Sequence, residues 1–154
     1  MENVIRKEIE LKAPVSRVWK AITDYREFGE WFRVRIDNPF LMGKVSTGYI
    51  LHPGYEHVRW EALITSMEPE RLFAFRWAHI RSFDKAVYSP DYSNAPETLV
   101  EFYLEPTATG TWLTITESGF ESIPAEWRHT NFLRNEGGWA QQIKNIEAYV
   151  TQTA

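Results

Sequence analysis

The hydrophobic positions of the first segment predict a strand followed by an amphipathic helix. In NVIRKEIELK the apolar residues fall on one strand face, although Lys7 interrupts the alternation: Ile5, Ile9 and Leu11. APVSRVWKAITD places Pro14 at a position suited to the start of a helix. Apolar residues then recur at the helical spacing i, i+3, i+4 and i+7: Val15, Val18, Trp19 and Ile22.

A second short helix is predicted from Tyr25 to Trp31. Asp24 is a suitable N-cap, and Glu27 stands three residues later, as in a capping box. Five strand-like stretches follow, at 45–52, 57–67, 72–80, 97–105 and 111–120. Most of the turns between them are short, which is typical of an antiparallel meander.

The polar stretch 81–96, RSFDKAVYSPDYSNAP, is longer than a tight turn requires. Three interpretations stay open: a lid, an interface or an ordinary surface loop.

The segment from Pro124 to the end predicts a helix that is broken or kinked at a glycine pair. Its apolar stripe is formed by Trp139, Ile143, Ile146 and Val150. Gly137 and Gly138 each cost up to about 1 kcal/mol relative to alanine inside a helix. We therefore expect the backbone to pass a neighbouring surface so closely there that a Cβ would clash, with Trp139 turned inward.

The order of these elements predicts a single α+β domain over residues 1–154. The C-terminal stripe must be buried, and the concave face of the sheet is the only large apolar surface available. The fold expected is a curved antiparallel sheet around a long C-terminal helix, with two short N-terminal helices.

Alternation of apolar residues predicts the register of two hairpins. In the first, Ile64 faces Phe75, Ala62 faces Trp77 and Trp60 faces His79. In the second, Phe102 faces Leu113, Val100 faces Ile115 and Thr98 faces Glu117, while Tyr103 pairs with Trp112 on the outer face. A slip of two residues stays open.

Several of these motifs together resemble the START-like (SRPBCC) superfamily. APVSRVWKAITD followed by EFGEWF is similar to its N-terminal signature, carried here by Ala13, Pro14, Val18, Trp19, Trp31 and Phe32. MEPERLFAFRW and TLVEFYLEPTATGTWLTITESGF resemble its hairpins, and GGWAQQIKNIEAYV resembles its final helix. Within the superfamily, the family similar to the activator of the heat-shock protein 90 ATPase fits best.

This resemblance implies the helix-grip fold, with a cavity between the sheet and the last helix. Members of the superfamily use such cavities for lipids, polyketides, hormones and other apolar molecules. The stretch 81–96 departs from the pattern of the family by its length.

Composition supports a roomy, aromatic interior and excludes several classes of function. Aromatic residues make up 15% of the chain, with seven tryptophans, so a cavity lined by rings and a densely packed aromatic core are both open. The net charge of −4 without a basic stripe argues against nucleic acid. Absence of cysteine excludes disulfides, thiol nucleophiles and thiolate metal sites. The charged N-terminal segment and the lack of a long apolar run predict a cytoplasmic protein without a membrane span.

Candidate chemistry is sparse. No phosphate-binding loop, serine elbow or zinc motif is present, and the histidine pair His52 and His57 lacks a third ligand, so no metal and no cofactor are expected. If the registers hold, His79 and Glu117 face the concave side together and form a weak candidate acid/base pair. The alternative is a solvated Glu117 at a strand end.

The leading hypothesis is therefore binding of an apolar or aromatic small molecule. The residues expected to bind it are Trp31, Tyr49, Trp60, Phe75, Trp77, His79, Phe102, Glu117 and Trp139. One alternative is an enzyme of the cyclase, dehydratase or hydrolase type acting on an apolar substrate. Another is a chaperone-associated interaction module, and a homodimer using Tyr103 and Trp112 is also open.

Overall fold

A computed structural model describes residues 3–152 of the chain. Seven strands form one antiparallel sheet in the order β1-β7-β6-β5-β4-β3-β2. The elements in chain order are β1 Val4–Leu11, α1 Val15–Thr23, α2 Tyr25–Phe32, β2 Val34–Ile36, β3 Val45–Ile50, β4 Arg59–Glu68, β5 Leu72–Ala78, β6 Glu97–Pro106, β7 Thr111–Ser118, a 3-10 turn Phe120–Ser122 and α3 Ala125–Gln152.

The helix α3 lies against the concave face of this sheet, as predicted for the helix-grip fold. Its buried apolar side chains recur along one face at intervals of seven, seven and four residues: Phe132, Trp139, Ile146 and Val150. They join the inward residues of the strands and of α1 and α2 in one core. The apolar face of the curved sheet is thus covered by α3 together with α1 and α2, and the stripe of α3 is buried in the same core.

The junction between α1 and α2 follows the predicted capping only in part. The Asp24 carboxylate accepts hydrogen bonds from the backbone N–H groups of Arg26 at 2.9 Å and Glu27 at 3.3 Å, so it is the N-cap of α2. The Glu27 side chain bonds instead to Arg17 on α1, with N–O 2.6 Å. The Trp31 indole donates to the Ala21 carbonyl at 2.8 Å and fastens α2 to α1.

The hairpin β4–β5 has the predicted register for its paired residues. Ile64 lies opposite Phe75, and Ala62 lies opposite Trp77. The expected third pair, Trp60 with His79, is absent because β5 ends at Ala78.

The hairpin β6–β7 differs from the prediction by two residues. Phe102 pairs with Ile115 rather than Leu113, and Val100 lies opposite Glu117. The ladder continues to Pro106 and Thr111 at the turn, which leaves a shorter loop than expected. A slip of two residues keeps every side chain on its face, so alternation alone cannot detect it.

This shift has two consequences for the predicted pairs. Thr98 is not directly opposite Glu117 but still bonds to it diagonally, with its hydroxyl at 2.5 Å from the carboxylate. On the outer face Tyr103 lies opposite Thr114 and Trp112 lies opposite Glu105, so the predicted Tyr103–Trp112 stack does not form.

The sequence did not reveal β2, because a strand of three residues has too few positions to show alternation. β2 pairs with β3 at the sheet edge. A Cβ added at Gly48 would lie 1.9 Å from the Arg35 carbonyl oxygen of β2, so the glycine is required by this close approach.

The glycine pair of α3 does not have the predicted role. The helix continues unbroken through Gly137 and Gly138, and a Cβ added at either position meets no atom within 4 Å. The expectation of a kink beside a close surface was therefore wrong. The inward turn of Trp139 was right, since that side chain is buried.

The stability of the glycine variants follows from this open space. We expect Gly137→Ala and Gly138→Ala each to raise the free energy of unfolding by about 0.5–1 kcal/mol, because alanine loses less backbone entropy in a helix. Urea unfolding of the two variants measures the effect. A loss of stability in either variant would instead support a close approach of the helix backbone to a neighbouring surface.

Candidate functional site

A cavity of about 320 Å³ lies between the β4–β5 part of the sheet, α3 and the stretch 81–96. Aliphatic side chains complete a wall formed chiefly by rings, namely those of Phe32, Tyr55, Trp60, Trp77, Phe83, Tyr92 and Trp139. The alternative interpretation, a ring-filled core with no void, does not apply to this part of the molecule.

Four of the predicted site residues line the cavity: Trp60, Trp77, His79 and Trp139. Glu117 is fully buried beneath them and contacts three of these four, as described below. The prediction that His79 and Glu117 face the concave side together is therefore confirmed, while the alternative of a solvated Glu117 is wrong.

Four other predicted residues do not reach the cavity. Trp31, Phe75 and Phe102 are buried at 3% exposure or less in the core behind it, where they contact Phe28 and one another. Tyr49 is 53% exposed, because the inward positions of β3 are the even-numbered ones and Ile50 lines the cavity instead.

Several cavity residues were missed from the sequence. On α3 they recur at helical spacing, as Arg134, Asn135, Gly138 and Gln142. This signal was present in the sequence but required a continuous helix from Ala125 to be recognised. Phe83 and Tyr92 belong to the stretch 81–96, whose path no periodicity predicts.

The stretch 81–96 is attached to the start of β4 by two tyrosine hydroxyls. The backbone N–H of Arg59 donates to the Tyr88 hydroxyl at 2.8 Å, and the Tyr92 hydroxyl donates to the Arg59 carbonyl at 3.0 Å. The two hydroxyls lie 2.6 Å apart. They take the place of a strand neighbour, because pairing between β4 and β5 begins only at Ala62. The stretch therefore closes one side of the cavity.

The Glu117 carboxylate is the centre of a buried hydrogen-bond network. Five side chains from β5, its following loop, β6 and α3 contact its two oxygens at 2.5–3.0 Å: Trp77, His79, Thr98, Asn135 and Trp139. A buried carboxylate is tolerated only when donors replace its lost water, and here both oxygens have at least two.

The contact with Asn131 determines the tautomer of His79. The Asn131 amide nitrogen lies 3.1 Å from the Ile80 carbonyl, which can only accept, so this nitrogen is a donor. It also lies 3.0 Å from His79 Nδ1, which must then be the acceptor. The ring proton is therefore on Nε2, which donates to Glu117 at 3.0 Å.

Burial by itself acts to raise the pKa of Glu117, but hydrogen bonds from His79, Thr98 and Trp77 outweigh it and hold the pKa below its usual value. The carboxylate is thus ionised at neutral pH. With both oxygens occupied by donors, it is poorly suited to take up a proton from a ligand.

The network makes Glu117 a strong determinant of stability. Glu117→Gln places an amide N–H₂ against side chains that themselves donate, so we expect a loss of about 3 kcal/mol in the free energy of unfolding. Urea unfolding measures this loss, and Glu136→Gln on the exposed side of α3 is the matched control. A loss of similar size in both variants would contradict the role of Glu117 as a determinant of stability.

The difference in unfolding free energy between wild type and Glu117→Gln depends on pH. The lowered pKa of Glu117 fixes the direction of this dependence. The stability that ionised Glu117 contributes is complete above the unfolded pKa, near about pH 4.3. It is lost as the pH falls through the lower folded pKa. The difference between wild type and Glu117→Gln should therefore narrow as urea unfolding is repeated from about pH 6 to about pH 3. A constant or widening difference would show that the pKa is not lowered.

Residues 3–152 contain neither a metal-binding cluster nor a membrane-spanning helix. There is no group of three or more histidine, aspartate or glutamate side chains placed to hold a metal ion. No helix in this range is long and apolar enough to cross a membrane.

Comparison with known structures supports the architecture. Protein MLL2253 from Mesorhizobium loti is 20% identical, with 98% of each chain covered and a TM-score of 0.74. The Aha1 dimer from Colwellia psychrerythraea is 16% identical, with 96% of this chain and 95% of that chain covered and a TM-score of 0.67. DynU16, from the dynemicin biosynthetic locus, is 22% identical over 97% of this chain and 47% of its own, with a TM-score of 0.73.

At these identities the similarity concerns the fold alone. Curated protein sequences give no significant match. A family model, Activator of Hsp90 ATPase homolog 1-like protein, matches residues 12–151. Because that match spans nearly the whole chain and the fold agrees with it, this protein belongs to the Activator of Hsp90 ATPase homolog 1-like family.

Proposed function

We propose that this protein binds an apolar or aromatic small molecule in the cavity between its sheet and α3. The observation that carries the proposal is a void of about 320 Å³ walled by aromatic rings. This volume lies at the lower end of the usual range for ligand sites, roughly 300–1,000 Å³. A compact ligand, comparable to a small fused aromatic system, would suit it.

The rings of the wall brace one another in positions that keep the cavity open. Trp77 and Trp139 are stacked, with centroids 5.8 Å apart and an angle of 27° between their planes. Trp60 meets Trp77 edge-on at 5.8 Å, and Phe32 meets Trp139 at 6.0 Å. Because each ring supports the next, none can turn into the void without displacing another.

The buried carboxylate fixes two of these rings further. The indole N–H groups of Trp77 and Trp139 both donate to Glu117, at 2.8 and 2.9 Å. Rotation of either ring would leave a buried charge with fewer donors, which is costly. A site held open in this way binds without first ordering its wall, and that favours affinity.

The residues that we propose to contact the ligand are Phe32, Trp60, Trp77, His79 and Trp139. Flat rings accept an apolar or aromatic body over a broad range of orientations. In this proposal Glu117 positions the wall from behind. Trp31, Phe75 and Phe102 support the core, and Tyr49 has no part in binding.

The geometry does not favour the alternative of a Glu117–His79 acid/base pair. The carboxylate is covered by donors, and both ring nitrogens of His79 have partners within the protein, namely Glu117 and Asn131. Neither group presents a free lone pair to the cavity. An enzymatic activity therefore has no specific support from these two residues.

The chaperone and dimer alternatives stay predictions. The solved Aha1 relative is described as a dimer. On the outer face, however, the proposed contact residues are engaged separately: Tyr103 donates to Glu101 at 2.7 Å and Trp112 donates to Glu8 at 3.2 Å. A pull-down with the chaperone tests this alternative directly.

The glycine pair supplies a matched test of the cavity. A leucine at Gly138 would extend into the cavity that this residue lines, whereas a leucine at Gly137 would lie outside it. We expect Gly138→Leu to weaken binding of the neutral dye N-phenyl-1-naphthylamine by about tenfold or more, and Gly137→Leu to change it by less than about twofold. Dye fluorescence titration is the measurement.

Both variants should be at least as stable as the wild type in urea unfolding, because leucine, like alanine, loses less backbone entropy in a helix than glycine and neither leucine meets a close neighbour at its Cβ. Equal loss of dye binding in the two variants, or no binding to the wild type, would overturn the proposal. Native mass spectrometry of the purified protein then looks for a small molecule that remains bound.

A further inference from the structure

We propose that the ligand is an amphipathic anion whose carboxylate or sulfonate group pairs with Arg134 while its apolar body occupies the ring-walled cavity. This inference rests on the proposed function and adds the chemical class of the ligand.

Arg134 stands in the cavity wall without a polar partner. It lies one turn before Gly138 on α3, and its guanidinium carbon is 4.4 Å from the centroid of the Phe83 ring. Within residues 3–152 the guanidinium makes no hydrogen bond and no ion pair. Its side chain is partly buried, and this burial lowers the pKa of Arg134. The group nevertheless stays charged, as arginine does in proteins.

Among the partly buried arginines of residues 3–152, Arg134 alone has no side-chain hydrogen bond or ion pair, whereas the other arginines without one are exposed: Arg26, Arg33, Arg35 and Arg76. Arg17 pairs with Glu27 at 2.6 Å, and Arg128 donates to the carbonyls of Ile123 and Glu121 at 2.9 and 3.1 Å. Arg134 has five N–H donors, and partial burial has removed part of their water. Unused donors on a charged group in an apolar cavity are the feature expected of a group that binds a ligand anion.

The other polar groups of the wall are already engaged within the protein. Asn135 donates to Glu117, Gln142 donates to the Phe32 carbonyl at 3.0 Å, and the Tyr92 hydroxyl donates to Arg59. The Tyr55 hydroxyl belongs to a residue that is 44% exposed, so bulk water can satisfy it. Arg134 is thus the group with most hydrogen-bonding capacity left for a ligand.

The nearby carboxylates, Glu117 and Glu61, do not occupy the N–H donors of Arg134. Glu117 is buried beneath the wall, where five other side chains hold its oxygens, and it acts on Arg134 only through its charge and without a hydrogen bond. Glu61, in the wall itself, pairs with Arg59 at 3.2 Å. Both acids therefore have hydrogen-bond partners of their own, and the N–H donors of Arg134 are left for a ligand anion.

The guanidinium of Arg134 suits a carboxylate or sulfonate head group. A guanidinium pairs with a carboxylate through two parallel hydrogen bonds, which fixes orientation as well as contributing free energy. The contact of Arg134 with the Phe83 ring places the guanidinium at one side of the cavity. The apolar body of the ligand would then lie against the rings of Trp60, Trp77 and Trp139.

A pair of nearly isosteric probes tests the inference. Calorimetry compares 2-naphthoate with the neutral 2-naphthamide in the wild type and in Arg134→Gln. We expect the wild type to prefer naphthoate by about tenfold or more. Arg134→Gln should abolish this preference and leave the affinity for the amide within about twofold. Lys144→Gln changes the same charge on the exposed side of α3 and should keep the preference.

Salt dependence in the wild type gives an independent measurement that needs no variant. The preference for naphthoate should shrink as NaCl is raised from about 50 mM to about 500 mM, because the pair is only partly buried. Equal binding of both probes in the wild type, or a preference that survives Arg134→Gln, would overturn the inference while the cavity proposal stands. Failure of both probes to bind the wild type would overturn the two together.

Discussion

The buried charge of Glu117 is the constraint on which much of this structure depends. Removing a carboxylate from water costs several kcal/mol, and the cost is offset only if donors arrive from every side in good geometry. Here the donors come from three different parts of the fold: β5 with the residue after it, β6, and α3. A single side chain on β7 thereby fixes the relative positions of the sheet and the helix on it.

This constraint also explains why an aromatic interior contains a void. Rings that are held only by packing would collapse into available space, because dispersion contacts favour a filled core. Trp77 and Trp139 are held instead by directional N–H bonds to Glu117. These hydrogen bonds thus keep the two rings from packing into the remaining space, and that space is the cavity. The hydrogen bonds that satisfy the charge of Glu117 also fix the orientation of the two tryptophan rings in the cavity wall.

Much of the architecture could be predicted from the sequence. Helical spacing gave α1 and the stripe of α3, the capping pattern at Asp24 gave α2, and alternation gave the longer strands, because all of these signals are local. The errors concern strand register and the face of single residues, which periodicity does not determine. A slip of two residues preserves faces, so the pairing of Phe102 was wrong, and an error of one residue in parity moved Tyr49 to the wrong face.

The candidate site was less predictable than the fold. Glu117 and the tryptophans were found because they lie on regular strands or on the helix, and His79 was found because it directly follows β5. Arg134 was missed because the glycine pair suggested a break in the helix, and that break hid the spacing from Asn131 to Gln142. Phe83 and Tyr92 were missed because an irregular stretch has no repeating pattern from which to infer a position.

The two tyrosine hydroxyls that replace a strand beside Arg59 have a dynamic consequence. The sheet is secured by backbone ladders, whereas the covering stretch 81–96 is secured at this point by side-chain hydroxyls. Breaking the second kind of bond leaves every ladder intact. Opening of the cavity mouth and unfolding of the domain therefore have separate free-energy costs, and amides under this stretch would exchange with solvent through a local fluctuation rather than a global one.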